Sequence, residues 1–230
     1  MRSEDKKADP DRIAWRKDCR DLARARAAAE DGEGAGQDGG LLAYRWEHVR
    51  QVVGLALRIG SRMDTDVEVL LAAAWLHDIG KGQPNHAAVG AAEARNFLAT
   101  TDFPPEKIET VVAAIAQHEG LTRPVGAPPL EPLEAAVLWD ADKVSKLGVS
   151  ALALALGSAN VKGNTLAARY HYTADFANRV LARTVQSMNT APGRALAERR
   201  HADMLSALHA WVQEQADAQL IELWDKESHA

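Results

Sequence analysis

Apolar residues recur along this chain with the period of a helix rather than of a strand. Between Leu42 and Met63 the positions Val49, Val52, Val53, Ala56 and Ile59 fall on one stripe. Asp64 and Thr65 offer a cap for the next helix, an apolar run from Val67 to Ala74 that ends at His77 and Asp78. Gly80 to Asn85 reads as a loop, and a further helix is expected from His86 to Thr100. Pro104 and Pro105 open another, which carries Val111, Val112 and Ile115 and ends near His118. Prolines 124, 128 and 129 mark a loop before a helix over Glu131 to Leu147. A short apolar helix begins at Gly148, and Gly157 to Asn164 is loop-like. Thr165 to Lys226 reads as two or three amphipathic helices broken near Pro192 and Gly193. No strand pattern longer than four residues, internal repeat or heptad run is present. The pattern predicts an all-α fold.

Two stretches fall outside this main body. Residues 1–10 are charged and read as a frayed start, followed by an Ala-, Arg- and Leu-rich helix over Asp11 to Glu30. Asp31 to Gly40 contains five glycines and no apolar anchor except Ala35, which is the composition of a flexible linker. The expected organisation is therefore a helix and linker over 1–40, a main domain over 41–216 and a helical tail over 217–230. The first helix would be an appendage, packed on the domain's flank or on a second subunit.

Composition narrows the function. At 230 residues, with 47% hydrophobic and 26% charged, the chain has ample material for a soluble core. A net charge of −5 argues against a general nucleic-acid or membrane-surface binder. The longest greasy segment, Val149 to Leu156, is too short to span a bilayer, and the start lacks the apolar run of a signal peptide. Cys19 is the single cysteine and cannot form an internal disulfide, so a reducing cytoplasm is expected.

The chemistry gathers at Trp75-Leu76-His77-Asp78-Ile79-Gly80-Lys81. An ionisable pair buried at the end of an apolar helix is costly unless compensated, and a metal ion is the common compensation. Neighbouring helix residues point about 100° apart, so the pair can meet one ion only near a helix end. Glycine follows where a helix would stop. Polar partners lie at Trp46-Glu47-His48 and at Asp140-Ala141-Asp142-Lys143. Asp140 and Asp142 are about 200° apart on a helix, so only one can face that ion, and periodicity leaves open which.

Taken in order, His48 in EHVRQVVGLA, the His77-Asp78 pair in AAWLHDIGK and the Asp-Ala-Asp-Lys run resemble the HD superfamily of metal-dependent phosphohydrolases. The resemblance spans about residues 41 to 216. It implies an HD-type helical bundle with His48, His77, Asp78 and the aspartate preceding the lysine, Asp142, as metal ligands. Asp140 would then stand behind the ligands, on the substrate side or at the surface. Two imidazoles and two carboxylates suit Mn, Fe, Co, Ni or Zn, with Mg also admissible, and leave positions for water. In two-metal relatives, histidines between the pair and the last aspartate bind the second ion, and His86 and His118 match that pattern. With a single ion they would serve as acids or phosphate donors. The segment SMNTAPGRALAERRHADM resembles the closing helices of small bacterial HD hydrolases, some of which release pyrophosphate from nucleoside triphosphates.

Lys81 and Lys143 each follow a proposed ligand aspartate and could neutralise phosphate charge. Arg169 and Tyr170 join a cation to a stackable ring and could clamp a base. The expected activity is hydrolysis of a phosphate ester or anhydride of a small molecule, a nucleotide first, by a metal-activated water. An HD-fold di-iron oxygenase is the alternative. A regulatory module without catalysis is a third, though none of the four ligands is missing. No nucleic-acid or membrane partner is expected, and a homodimer is compatible with the sequence.

Overall fold

A computed structural model describes residues 14–34, 44–124, 126–157 and 165–227. The charged start, most of the Gly-rich stretch and residues 158–164 of the loop expected at 157–164 lie outside the described residues, while Gly157 ends a helix. Among the described residues there is no strand, and no helix is long and apolar enough to cross a membrane. The all-α expectation holds.

The helices are α1 (Ala14–Gly34), α2 (Arg45–Gly60), α3 (Val67–Leu76), α4 (His86–Leu98), α5 (Ile108–Ala116), α6 (Leu133–Val144), α7 (Val149–Gly157), α8 (Leu166–Phe176), α9 (Ala182–Gln186) and α10 (Ala191–Glu227). A 3-10 turn at Pro105–Lys107 leads into α5, and a π-helical turn at Ala177–Leu181 joins α8 to α9. The hub is α6, buried at every position from Glu134 to Val144. It packs against α2, α3, α5 and α10, which is why its sequence lacks a polar face apart from groups with assigned partners.

The start of α3 departs from the expected cap. Asp66, rather than Asp64 or Thr65, takes the N-terminal position, its Oδ1 accepting from Glu68 N at 3.0 Å and Val69 N at 3.3 Å. Its own N–H donates to the buried Glu134 at 2.7 Å, so the α6 side chain selects where α3 begins.

Helix α1 extends past Glu30, the end expected from its composition, to Gly34. It lies on the flank of the domain, against α2 and α3. Trp15, Cys19, Ala23 and Ala27, spaced four apart, form its buried stripe. Trp15 packs edge-on against Phe103 with centroids 4.9 Å apart, and the Trp15 backbone N–H donates to Asp102 Oδ1 at 2.7 Å. Pro192 and Gly193 lie in the first turn of α10 rather than in the gap before it. The break is at 187–190, where Thr190 Oγ1 accepts from Gly193 N at 3.0 Å. From there α10 is continuous through residue 216 to 227.

Candidate metal centre

Each proposed ligand is brought to the centre by a helix end or a buried helix face. His48 lies on the inner face of α2 and is 1% exposed. His77 follows the last residue of α3, after which Ile79, Lys81 and Gln83 bond back three residues to Leu76, Asp78 and Gly80. These tight turns end α3 at the His77–Asp78 pair, and Asp78 Oδ2 lies 3.7 Å from His77 Nε2. Gly80 does not act as a left-handed helix stop, the role its position suggests, since the positive φ belongs to Gly82. Its value is close approach. A Cβ at Gly80 would lie 2.6 Å from the His86 carbonyl oxygen and 2.7 Å from Gly90 N. That contact sets the start of α4, and with it His86, beside Asp78.

The orientation of the rings follows from their second nitrogens. His77 Nδ1 lies 2.8 Å from the Ala74 carbonyl and His118 Nδ1 lies 2.7 Å from the Ile115 carbonyl. A carbonyl only accepts, so each Nδ1 carries the proton and each Nε2 of the neutral ring is a bare lone pair. Ser145 Oγ donates to the Asp142 carbonyl at 2.6 Å and lies 3.2 Å from His48 Nδ1, while His48 Nε2 faces the cluster. Tyr44 Oη and Lys146 Nζ lie near the same nitrogen, each at 3.4 Å.

These lone pairs converge on carboxylate oxygens. His48 Nε2 is 3.3 Å from His77 Nε2, 3.4 Å from Asp78 Oδ2 and 3.3 Å from Asp142 Oδ1, and His77 Nε2 is 3.7 Å from Asp78 Oδ2. On the other oxygen of Asp78, His118 Nε2 is 3.4 Å away and His86 Nε2 is 3.8 Å away. His48, His77 and Asp78 form one group spaced for a metal ion, and Asp78, His86 and His118 form a second. Asp78 therefore belongs to both, one oxygen to each, while Asp142 joins through His48. Donors at ~2.1 Å from an ion stand ~3.0 Å apart at right angles and ~3.4 Å at tetrahedral angles, so the observed spacings fit a divalent cation. The test atom is His118 Nε2, buried and without a hydrogen-bond partner although it faces a carboxylate oxygen. Two acceptors facing each other in a buried site call for a cation between them.

Burial lowers the pKa of His77 to about 3 and also depresses His48; at His86 burial is the main cause, and the Lys81 cation adds to it. For Asp78 burial works upwards, but His77, His118, His48 and Lys81 outweigh it and hold the carboxyl well below its usual range. Asp142 behaves likewise: burial is overcome by Lys143 and Lys146, with His48 and His77 contributing. Neutral imidazoles and ionised carboxylates at neutral pH are the states a metal requires.

The cations divide by exposure. Lys81 is 30% exposed, its Nζ 3.4 Å from Asp78 Oδ1 and 3.3 Å from His86 Nε2. Lys143 is buried, 4% exposed, with Nζ hydrogen-bonded to Asp142 and, at 2.7 Å, to the His118 carbonyl. It neutralises the ligand carboxylate and ties α6 to the turn after α5.

Asp140 is not a surface carboxylate. It is fully buried, Oδ1 accepting from Asn189 N at 2.8 Å and Asn189 Nδ2 at 3.0 Å, Oδ2 from Thr190 N at 2.8 Å and Thr190 Oγ1 at 2.7 Å. Those bonds bind the 187–190 break to α6. Arg169 and Tyr170 are also placed in helix packing: Arg169 donates to the Leu156 carbonyl at 2.7 Å, and Tyr170 meets Trp211 edge-on at 5.1 Å. Among the described residues, no hydrogen bond, ion pair or ring contact joins either to the His–Asp cluster.

Two participants were not expected. Ser145 Oγ lies 3.2 Å from His48 Nδ1, and Arg45 of α2 stands with Nη1 4.0 Å from Asp78 Oδ2. Sequence offered no signal for Ser145. Arg45 lies three residues before His48, one turn away on the same helix, which is the spacing that could have pointed to it.

A bundle of helices presenting histidines and aspartates in this order and geometry defines a class, and comparison with known proteins agrees. The model of the HD domain matches residues 45–147. The chain is 31% identical to the uncharacterized protein YpgQ of Bacillus subtilis strain 168 over 166 residues, which is 70% of this chain and 80% of that one. This protein belongs to the HD-domain family. The crystal structure of B. subtilis YpgQ superposes with a TM-score of 0.64 at 25% identity, covering 88% of this chain and 96% of that one. Its complex with ADP gives a TM-score of 0.63 at 24% identity, with the same coverage. An HD-superfamily hydrolase from Bacillus thuringiensis shares the fold with a TM-score of 0.65 at 17% identity, covering 89% and 98% of the two chains. The chain thus has the fold of HD-superfamily hydrolases and a His–Asp cluster able to hold a divalent metal.

Proposed function

We propose that this protein is a metal-dependent phosphohydrolase that cleaves a phosphate ester or anhydride of a small molecule, with nucleotides the first substrates to test. The observation that carries the reading is the Asp78 carboxylate, which offers one oxygen to each of two groups of bare imidazole nitrogens. His48, His77, Asp78 and Asp142 would hold one ion, and Asp78, His86 and His118 a second. Bound there, a divalent transition metal such as Mn, or Mg, supplies an acidified water near neutral pH and a positive charge for a phosphoryl oxygen.

The chain's own residues do the rest. The Ala74 and Ile115 carbonyls hold the ring protons of His77 and His118 on Nδ1, so neither imidazole must change tautomer before binding. Lys143 and Lys146 offset the charge of Asp142. Lys81, partly exposed beside Asp78, reaches the phosphate. The ADP complex of the relative YpgQ supports a nucleotide as the substrate class here.

The test is release of phosphate or pyrophosphate from a nucleotide panel by protein loaded with Mn, Co, Ni, Fe, Zn or Mg. Activity should vanish with chelator, return with metal and persist without oxygen. The two histidine groups sharing one aspartate also favour a second reading, a di-iron oxygenase. Oxygen uptake by the iron-loaded protein, with no phosphate released from any ester, would establish that reading instead.

A further inference from the structure

The last residues of α1 converge on Arg45. Glu30 Oε1 takes the Arg45 Nε at 2.8 Å. Asp31 Oδ1 accepts from the backbone N–H of Tyr44 at 3.2 Å and of Arg45 at 3.3 Å, supplying the cap that α2 lacks locally. Backbone and guanidinium are thus both fixed by α1, a helix outside the segment matched by the HD-domain model. A cleft between α1 and the α2–α3 pair runs alongside; Ala23, Ala27 and Ile79 line it, and its charged groups are Glu30, Arg45 and Asp78.

Arg45 makes only a long ion pair, and no hydrogen bond, with the metal-centre carboxylate. Its Nη1 stops 4.0 Å from Asp78 Oδ2, beyond hydrogen-bond reach. Nε is committed to Glu30, and the Nη groups face the cleft and Asp78. Lys81 mirrors it on the other oxygen, 3.4 Å from Asp78 Oδ1. Both cations are about one-third exposed, 29% and 30%, although the carboxylate between them is 7% exposed. A carboxylate that serves two metal groups does not need two further cations for its own charge. A tetrahedral dianion lying over it does, and a guanidinium fork suits phosphoryl oxygens better than a point charge.

We propose that Arg45 is a substrate-binding residue that takes the phosphoryl group opposite Lys81, with Glu30 of α1 as the residue that positions it. This rests on the hydrolase reading and assigns a substrate contact and a role for the N-terminal helix within it.

The experiment uses the full chain loaded with Mn and measures binding of imidodiphosphate, whose P–N–P link resists hydrolysis, by calorimetry. Arg45→Ala should weaken binding at least about tenfold, the loss typical of a charge-assisted contact. Metal content and melting temperature should stay at wild-type values. Arg45→Lys should recover part of the affinity. Glu30→Gln should weaken binding by less, and should add nothing in the Arg45→Ala background, because it acts only through Arg45. With a hydrolysed nucleotide the same variants should raise KM more than they lower kcat.

Unchanged affinity in Arg45→Ala, loss of metal in that variant, or no binding of imidodiphosphate by the wild type would each overturn the proposal. Hydrolysis with KM untouched by Arg45→Ala would leave the hydrolase reading standing without it. Conversely, Arg45-dependent binding with no nucleotide or other phosphate ester cleaved would retire the hydrolase reading and retain the anion site.

Discussion

Asp78 Oδ1 and His118 Nε2 face each other across 3.4 Å in the interior, both acceptors, with the other nitrogen of the ring already held by Ile115. The relationship suits a cation bridging them, and it sets the order in which metal should be lost on mutation. Asp78→Ala should remove all bound metal because both groups share that side chain. His118→Ala should spare the ion held by His48, His77 and Asp142. Metal per chain, measured by mass spectrometry with helicity followed by circular dichroism, checks this. Equal metal content in the two variants would place the ions elsewhere.

The two α6 aspartates should separate cleanly. Asp142→Ala lowers metal affinity, since Asp142 Oδ1 lies 3.3 Å from His48 Nε2. Asp140→Ala leaves the metal in place but removes four hydrogen bonds and strands the buried Thr190 N–H. Buried unsatisfied groups cost about 1–3 kcal/mol each, so a loss of about 3 kcal/mol is expected in urea unfolding. Full stability in Asp140→Ala would show that the 187–190 segment holds itself in place.

Acid should weaken the metal-free protein well above the usual carboxylate range. His77 is depressed from 6.5 to about 3, so between those values the unfolded chain takes a proton that the folded chain refuses. Its contribution is intact above pH 6.5 and is lost as pH falls towards 3, by up to about 1.4 kcal/mol per pH unit. His48 and His86 are lowered too and act with the same sign. Asp78 and Asp142 extend the loss below pH 4. Urea midpoints in chelator at pH 7.5, 6.5 and 5.5 should fall in that order. Identical midpoints would mean that these rings titrate as free histidine.

Docking of α1 can be read from its cysteine. Burial pushes the Cys19 thiol up to about 12, with Asp18 and Asp102 adding to the rise. At pH 8 only about one thiol in ten thousand is then thiolate, the reactive form. Alkylation should be negligible in the folded protein and rapid in denaturant. Trp15→Ala, expected to cost about 3–5 kcal/mol, should accelerate it. Fast labelling of the wild type would mean that α1 spends much of its time undocked.

The helices and the candidate ligands were legible because their signals are local. An apolar run ending in His77-Asp78 needs no knowledge of the rest of the chain, and the 200° between Asp140 and Asp142 already said that their tasks must differ. What escaped depends on contacts between distant segments. Asp66 caps α3 because Glu134 receives its N–H, 68 positions away. Gly80 is small for the sake of Gly90 and the His86 carbonyl, not for its own φ. Asp31 sits in a glycine-rich stretch that reads as linker, yet its side chain caps α2. The placement of Arg45 depends on Glu30, which a different helix brings beside it.

The split duty of α6 has a mechanical consequence. One face of this helix is pinned through Asp140 to the entry of α10, and the other through Asp142 to His48 of α2. The helix is thereby keyed like a shaft at two angles. Rotating it by a single residue, about 100°, would withdraw both carboxylates at once. A one-residue insertion inside 140–142 should therefore damage architecture and metal binding together.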